Sequence, residues 1–478
     1  MNLFRLVALS ITCIIILAPT THAQDFDPKP YLGENWFGLY MNGAKIGYSS
    51  SNVTVDSEGL IHSEENAIFK LNMAGIKQEM AFKTQRIYGK DGALQEVNSN
   101  SEDISGKNKF HAIVKGEQLI LTSYVGGQKS TKTLPKPTET LQDMERIMTL
   151  VANNPKIGDT VTFKAFEPMY ATEIEAIITI LEQEERILDG VKTKVYKTES
   201  KLPTMGITSI GYISEDGTTL EEKMAGVITI RLEPKEIALN ANYANDTIIS
   251  NAAIIDLPIT KARTRDELTL RISGPLTEDL ILNDANQIFT IDGDAYIFVG
   301  KKLSIKNANS PNIPITEASV QQWIKPTTFV QSDNELLINK AKEIIGEETN
   351  SAKISEALSN WVSENMTSTF SARLSNSLEV LDSLEGDCTE HSMLFIGLAR
   401  AAGLPAHEVA GLIYAPGPNP GFYFHQWAKV WVGEWIEVDP TFNQPLADAT
   451  HIRLVEGELM EQSKLLPVIG KLNIEVVE

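Results

Sequence analysis

Two cysteines occur in this chain, Cys13 and Cys388. Cys13 lies in a stretch with the marks of an export signal: Arg5, an apolar run over 6–18, and Thr21-His22-Ala23 as a small-residue cleavage pattern. Removal of residues 1–23 leaves one thiol. A fold with one thiol has no internal disulfide, so its cores must be held by apolar burial and hydrogen bonding. The remaining thiol is then either a small buried hydrophobe or a working nucleophile.

The apolar run over 6–18 is shorter than the ~20 residues a spanning helix needs. Ser10-Ile11-Thr12 ahead of Cys13 fits a lipid-attachment pattern poorly. No later stretch reads as a membrane span. The expectation is therefore a secreted protein, periplasmic in a Gram-negative cell. A formal charge of −21 should repel nucleic acid and anionic membrane surfaces. It does not report the oligomeric state.

At 478 residues the chain has room for several domains. From about 30 to 310 it reads as β-rich. Asn42-Gly43 between 36–41 and 44–48 is a type I′ hairpin signal, and Asp91-Gly92, Asp216-Gly217 and Asp292-Gly293 mark further turns. Tyr88 to Glu96 and Ile213 to Glu222 share a pattern that hints at a duplicated β unit. Leu141, Met144, Ile147, Met148 and Val151 predict a helix over about 138–153. The expected division is a signal peptide over 1–23, a β-rich domain over 24–165, and a second β-rich unit over 166–260. A β segment and linker over 261–330, with Pro311 and Pro314, and a last domain over 331–478 complete it.

The last domain changes character. Helices are predicted over 334–345, closed by Gly346, and over 352–366, with a third running from Cys388 to Ala402, where Gly403-Leu404-Pro405 stops it. Strands follow over 406–414, 422–432 and 435–439. Helices first and an antiparallel sheet after make an α+β domain. The whole chain thus reads as multidomain, β-rich and then α+β.

Within that domain, Asp387 is placed to cap the helix and Glu390 to complete a capping box. Cys388 then stands at the first helical position, where backbone N–H groups and the helix dipole favour a thiolate. The neighbouring carboxylates oppose this, so a cationic histidine is required. His391 could pair with Cys388 as a Cys-x-x-His metal half-site, but no second pair stands at ligand spacing, and no metal or cofactor is expected.

His425 and Asp439 sit on the two successive strands and could serve as a base and its orienter. Side-chain alternation decides whether they meet. A two-residue Gly433-Glu434 turn would pair Ala428 with Asp439 and put His425 on the opposite face. A three-residue connection over 432–434 would pair Trp431 with Trp435 and Trp427 with Asp439, leaving His425 one diagonal step away on the same face.

Taken together, 386–392, with Leu398, Arg400, Ala401, Gly403, Leu404, Pro405 and Ala406, resembles the nucleophile helix of bacterial exported transglutaminase-like proteins. His425-x-Trp427 and Trp435-x-x-Val438-Asp439-Pro440-Thr441 resemble the next two motifs of that superfamily, in the same order. The resemblance covers about 331–455, and more weakly the strands over 36–48. It implies a papain-like core with Cys388 as nucleophile, His425 as base and acid, and Asp439 as orienter. It also implies acyl transfer or hydrolysis at peptide or protein amides through a thioester. Two alternatives accompany it: a cysteine peptidase of the same fold, and a binding or scaffold module without turnover. The Cys388 N–H is one candidate oxyanion donor. Trp361 and Trp427 carry indole N–H groups but are left out of the catalytic set.

Overall fold

The computed structural model describes residues 32–73, 76–103, 106–125, 127–142, 150–151, 153–188, 191–215, 217–242, 251–304, 310–369 and 375–477. The expected signal segment with Cys13 lies outside these residues, as does most of the helix expected over 138–153. The chain divides between residues 246 and 247 into two compact units. No described helix is long and apolar enough to cross a membrane.

The first unit is one large antiparallel sheet, fourteen-stranded among the described residues. Strands β1 (Gly33–Met41) to β8 (Gln128–Pro135) pair in chain order out to one edge. Strands β9 (Thr160–Glu167) to β14 (Ile228–Leu232) run from the other edge back to the middle, where Leu39 of β1 pairs with Ile230 of β14. Period-two patterning drives this. Along Ile61–Met73, residues Ile61, Ser63, Glu65, Ala67, Phe69 and Leu71 are buried and those between them are not. Asn42 (φ 47°) and Gly43 (φ 83°) form the two-residue turn that their type suggested, with Met41 opposite Ala44. The expected boundary between 165 and 166 falls inside β9, whose Ala165 pairs with Ile174 on the next strand. The two β-rich units are therefore one sheet, joined by backbone hydrogen bonds rather than by a linker.

The second unit is a mixed α/β region. Its central sheet runs β15 (Ala253–Ile254), β22 (Gly421–Trp431), β21 (Ala406–Ala415), β24 (His451–Glu456), and β23 (Trp435–Val438) also pairs with β22. A second sheet has the order β17 (Gln287–Asp292), β18 (Ala295–Lys301), β16 (Glu267–Ser273), β25 (Asn473–Val476). Leu268, Leu270 and Phe298 of this sheet share one apolar core with Leu412, Tyr414, Phe422 and Leu454 of the central sheet. The segment expected as a separate piece over 261–330 is thus built into the last domain. Its β16 needs the C-terminal β25 as a partner, with Leu270 opposite Val476.

Four helices pack beside the central sheet: α1 (Glu335–Ile345), α2 (Ser351–Asn365), α3 (Ser377–Ser383) and α4 (Cys388–Ala401). Each begins at an Asn or Asp whose side chain accepts a backbone N–H of the first turn: Asn334, Asn350, Asn376 and Asp387. The α3 helix and strand β24 were not foreseen from the sequence. Gly411 fixes how closely β21 and β24 approach, since a Cβ there would lie 1.9 Å from the Ile452 carbonyl oxygen.

Candidate active site

Cys388 opens α4. The Asp387 side chain accepts the Thr389 N–H at 2.8 Å, and the Glu390 carboxylate accepts the Asp387 N–H at 3.0 Å. This reciprocal cap fixes the first turn, and the helix dipole favours negative charge at its first residue, Cys388. Ser392, one turn on, ties the helix to the sheet by donating to the Gln426 carbonyl at 3.1 Å, beside His425. His391 does not join Cys388 as a ligand pair: its Nδ1 meets the Asp387 carbonyl at 2.8 Å, and burial lowers its pKa.

The β22–β23 connection decides the rest. Trp431 pairs with Trp435 and Lys429 with Glu437, and the Val432 N–H donates to the Glu434 carbonyl at 2.9 Å. The connection is therefore the three-residue one. It places Trp427 and Asp439 at matching positions and brings His425 and Asp439 onto one face. His425 Nε2 lies 2.9 Å from Asp439 Oδ2. The other imidazole nitrogen is left for Cys388, whose thiol hydrogen-bonds this ring.

Electrostatics act in opposite directions here. Burial disfavours a thiolate at Cys388, and the Asp387 carboxylate adds to that, while the charge and hydrogen bond of His425 favour it. Burial would lower the His425 pKa, but Asp439 and Cys388 overcome it and raise the pKa above its usual value. Burial likewise works against ionised Asp439, yet His425 and His451 hold its pKa well below the carboxylate range.

His451, on β24, was not among the residues picked out by sequence. Its Nε2 lies 3.0 Å from the same Asp439 Oδ2, and its Nδ1 lies 3.1 Å from the Asp448 carbonyl and 3.4 Å from Asp448 Oδ1. Against the cost of burial, hydrogen bonds to Asp439 and Asp448 push its pKa up to about 9. Ligand-type atoms of His425, Asp439 and His451 lie within 4.8 Å of one another, a donor set chemically suited to a metal ion. The atoms of this set are already engaged in hydrogen bonds of 2.9 and 3.0 Å about one shared oxygen.

Two further groups frame the site. The half-exposed Phe442 ring lies 5.3 Å from the His425 ring, and the Arg263 guanidinium stacks on it at 4.4 Å. Along the same face of β22, the Trp427 indole donates to Glu437 at 2.8 Å. Glu437 pairs with Arg453, which also meets Asp284 at 2.7 Å and Glu456 at 3.1 Å; Lys429 bridges Asp284 and Glu456. Trp427 therefore serves this buried ion network rather than the thiol. Asp448 and Arg263 were also missed. The alternation of Ile452 and Leu454 with polar neighbours is the one sequence signal that could have revealed the strand carrying His451.

Residues 338–440 match the family model described as the transglutaminase-like superfamily. An uncharacterized protein of Haemophilus influenzae is 29% identical over 127 residues, which cover 26% of this chain and 34% of that protein. The chain thus spans about a third of the length of this curated relative. Among solved structures, a candidate cysteine protease of Cytophaga hutchinsonii is 15% identical, with 45% of this chain and 84% of that chain covered and a TM-score of 0.32. A β-barrel-like protein from a domain family of unknown function in Brucella abortus is 10% identical, with 42% and 94% covered and a TM-score of 0.33.

Proposed function

We propose that the transglutaminase-like domain over residues 338–440 carries out thiol-dependent acyl transfer or hydrolysis at peptide or protein amides. Cys388 is the nucleophile, His425 the base and acid, and Asp439 the orienter. The observation that carries this reading is one imidazole that meets a helix-capped thiol on one side and a buried carboxylate at 2.9 Å on the other.

The chemistry follows from that arrangement. The thiolate attacks the amide carbonyl carbon, a C–S bond forms, and the oxygen takes the negative charge, with the Cys388 N–H as one donor to it. Collapse breaks the C–N bond, and the His425 imidazolium gives its proton to the departing ammonia or amine. A thioester remains. His425 then takes a proton from water or from an amine as it attacks, and the thiolate leaves. Water gives a carboxylic acid and an amine gives a new amide. Cleavage of a main-chain amide would make the same site a peptidase.

The substrate belongs in an exported setting in this reading, and the strongly acidic chain disfavours nucleic acid as a partner. Incubation with a mixed peptide library, with and without added amine, tests it by mass spectrometry. A gain of about one mass unit at Gln marks hydrolysis, exchange of ammonia for the amine marks transfer, and chain cleavage marks a peptidase. No change with wild-type protein, together with labelling of Cys388 by a thiol reagent only after unfolding, would leave the scaffold reading in its place.

A further inference from the structure

Asp439 faces two imidazoles, and one of them, His425, is a partner of the thiol. His425 and His451 approach the same carboxylate oxygen at 2.9 and 3.0 Å, and all three residues are fully buried. Asp439 Oδ1 is separately occupied by the Thr441 N–H at 2.9 Å. His451 is in turn fixed by Asp448, which accepts from the Thr450 N–H at 2.7 Å and from Gln444 at 2.7 Å, and faces Arg263 at 3.3 Å. The matched family region ends at residue 440, so Asp448 and His451 lie beyond it.

We propose that His451 is a positioning residue: a second, charged imidazole that shares Asp439 Oδ2 with His425 and divides its negative charge, so that Asp439 orients His425 without trapping its proton.

A carboxylate devoted to His425 alone would stabilise the imidazolium fully and make it a poor acid toward a leaving amine. Proton transfer is most efficient when the donor's pKa lies near the working pH. The second cation withdraws part of that stabilisation and leaves the geometry in place. The titratable and charged groups around the pair come from several elements. Cys388 and His391 come from α4, His425 from β22, Asp439 from the end of β23, Asp448 from the turn before β24, and Arg263 reaches Asp448 from the segment before β16. His391, with a lowered pKa, does not supply this charge.

The inference rests on the thiol–imidazole reading above, so the test separates the two. The full chain is labelled with iodoacetate from pH 4 to 10, and labelling at Cys388 is followed by mass spectrometry. This anionic reagent needs the thiolate and loses rate when the neighbouring imidazolium gives up its proton. Slow wild-type labelling that does not depend on His425 would sink the site reading itself. Given fast wild-type labelling, His451→Gln keeps a neutral donor toward Asp439 and removes the charge. The two rings are 6.2 Å apart. At an effective dielectric of about 20 to 40, loss of that charge moves the basic limb up by about one to two pH units. The maximal rate should also fall severalfold. A folded His451→Gln protein with an unmoved basic limb, or one moved downward, overturns the role assigned to His451. If the variant does not fold, imidazole nitrogen signals of the wild-type protein decide: His451 protonated on both nitrogens at pH 7.5 is expected, and a singly protonated ring refutes the proposal.

Discussion

Asp439→Asn is the sharpest test of the candidate triad, because the structure leaves an amide no good way to fit. The carboxylate accepts three N–H groups: His425 and His451 on Oδ2, at 2.9 and 3.0 Å, and the Thr441 backbone on Oδ1 at 2.9 Å. An amide has one accepting oxygen and one donating nitrogen. If its oxygen faces the imidazoles, its NH2 meets the Thr441 N–H, and a buried donor is left unpaired at a cost of about 1–3 kcal/mol. If its oxygen faces Thr441, its NH2 forces both imidazoles to accept. His451 can comply, since its Nδ1 has the Asp448 carbonyl to donate to. His425 would then carry its proton on Nδ1, toward Cys388, and could not take the thiol proton. In the template of a serine nucleophile, this wrong tautomer costs about 10⁴-fold in kcat. Here the direct readout is alkylation of Cys388 by iodoacetamide at pH 6.5. A thiol without its imidazolium partner, at an ordinary pKa of about 8.5, is roughly 1% ionised at that pH. The rate should therefore fall about a hundredfold from that of a fully formed ion pair. The variant's fold is checked by circular dichroism and its melting temperature. A folded Asp439→Asn protein that alkylates within about threefold of wild type would show that Asp439 does not set the state of His425.

Three further outcomes are expected. The His451 pKa is raised to about 9, so the stability its charge contributes is full below about 6.5 and is lost as pH rises toward 9. Urea unfolding should show a loss of up to about 3 kcal/mol across that window, an upper bound because Asp439 and Asp448 share the interaction, and His451→Gln should flatten the slope. Arg453→Met keeps most of the side-chain volume but leaves buried Glu437 without its guanidinium, and should cost about 3–5 kcal/mol by the same assay. Gly411→Ala drives a Cβ to 1.9 Å from the Ile452 carbonyl, backbone that cannot yield as a side chain would. It should cost about 3 kcal/mol or more and, by displacing β24, slow Cys388 labelling beyond what the loss of stability explains.

Much of the second unit was legible because its signals are local. Asp387 and Glu390 declare a helix start by residue type and spacing, and the cap forms as expected. In the first unit, Asn42-Gly43 declares a turn for the same reason, since both residues tolerate positive φ. The 432–434 connection was left open by pattern alone, because a two-residue and a three-residue turn are both compatible with the sequence. The structure resolves it through the Trp431–Trp435 pairing. What the sequence hid is nonlocal. Nothing in the residues around 165 says that strands on either side of it join one sheet. Nothing around 267–273 says that its sheet partner is 473–476, some two hundred residues on.

The same distinction explains why only part of the candidate site is legible in the sequence. A thiol at a helix start, and an imidazole and a carboxylate on adjacent strands, each leave a mark within a few residues. A residue that meets that carboxylate from a third strand leaves none, because the contact exists only once β21 and β24 are in register. The packing around Gly411 sets how near β24 comes to β21, and β21 pairs with the strand that carries His425. The capped helix sets where the thiol meets that strand. His451 therefore reports on the assembled sheet rather than on any motif. A chain that kept 386–392, His425 and Asp439 but lost the β21–β24 register would keep the candidate thiol, imidazole and carboxylate and lose the second imidazole that shares that carboxylate. The rate and the pH profile of such a variant would then separate what the local motif supplies from what the whole sheet supplies.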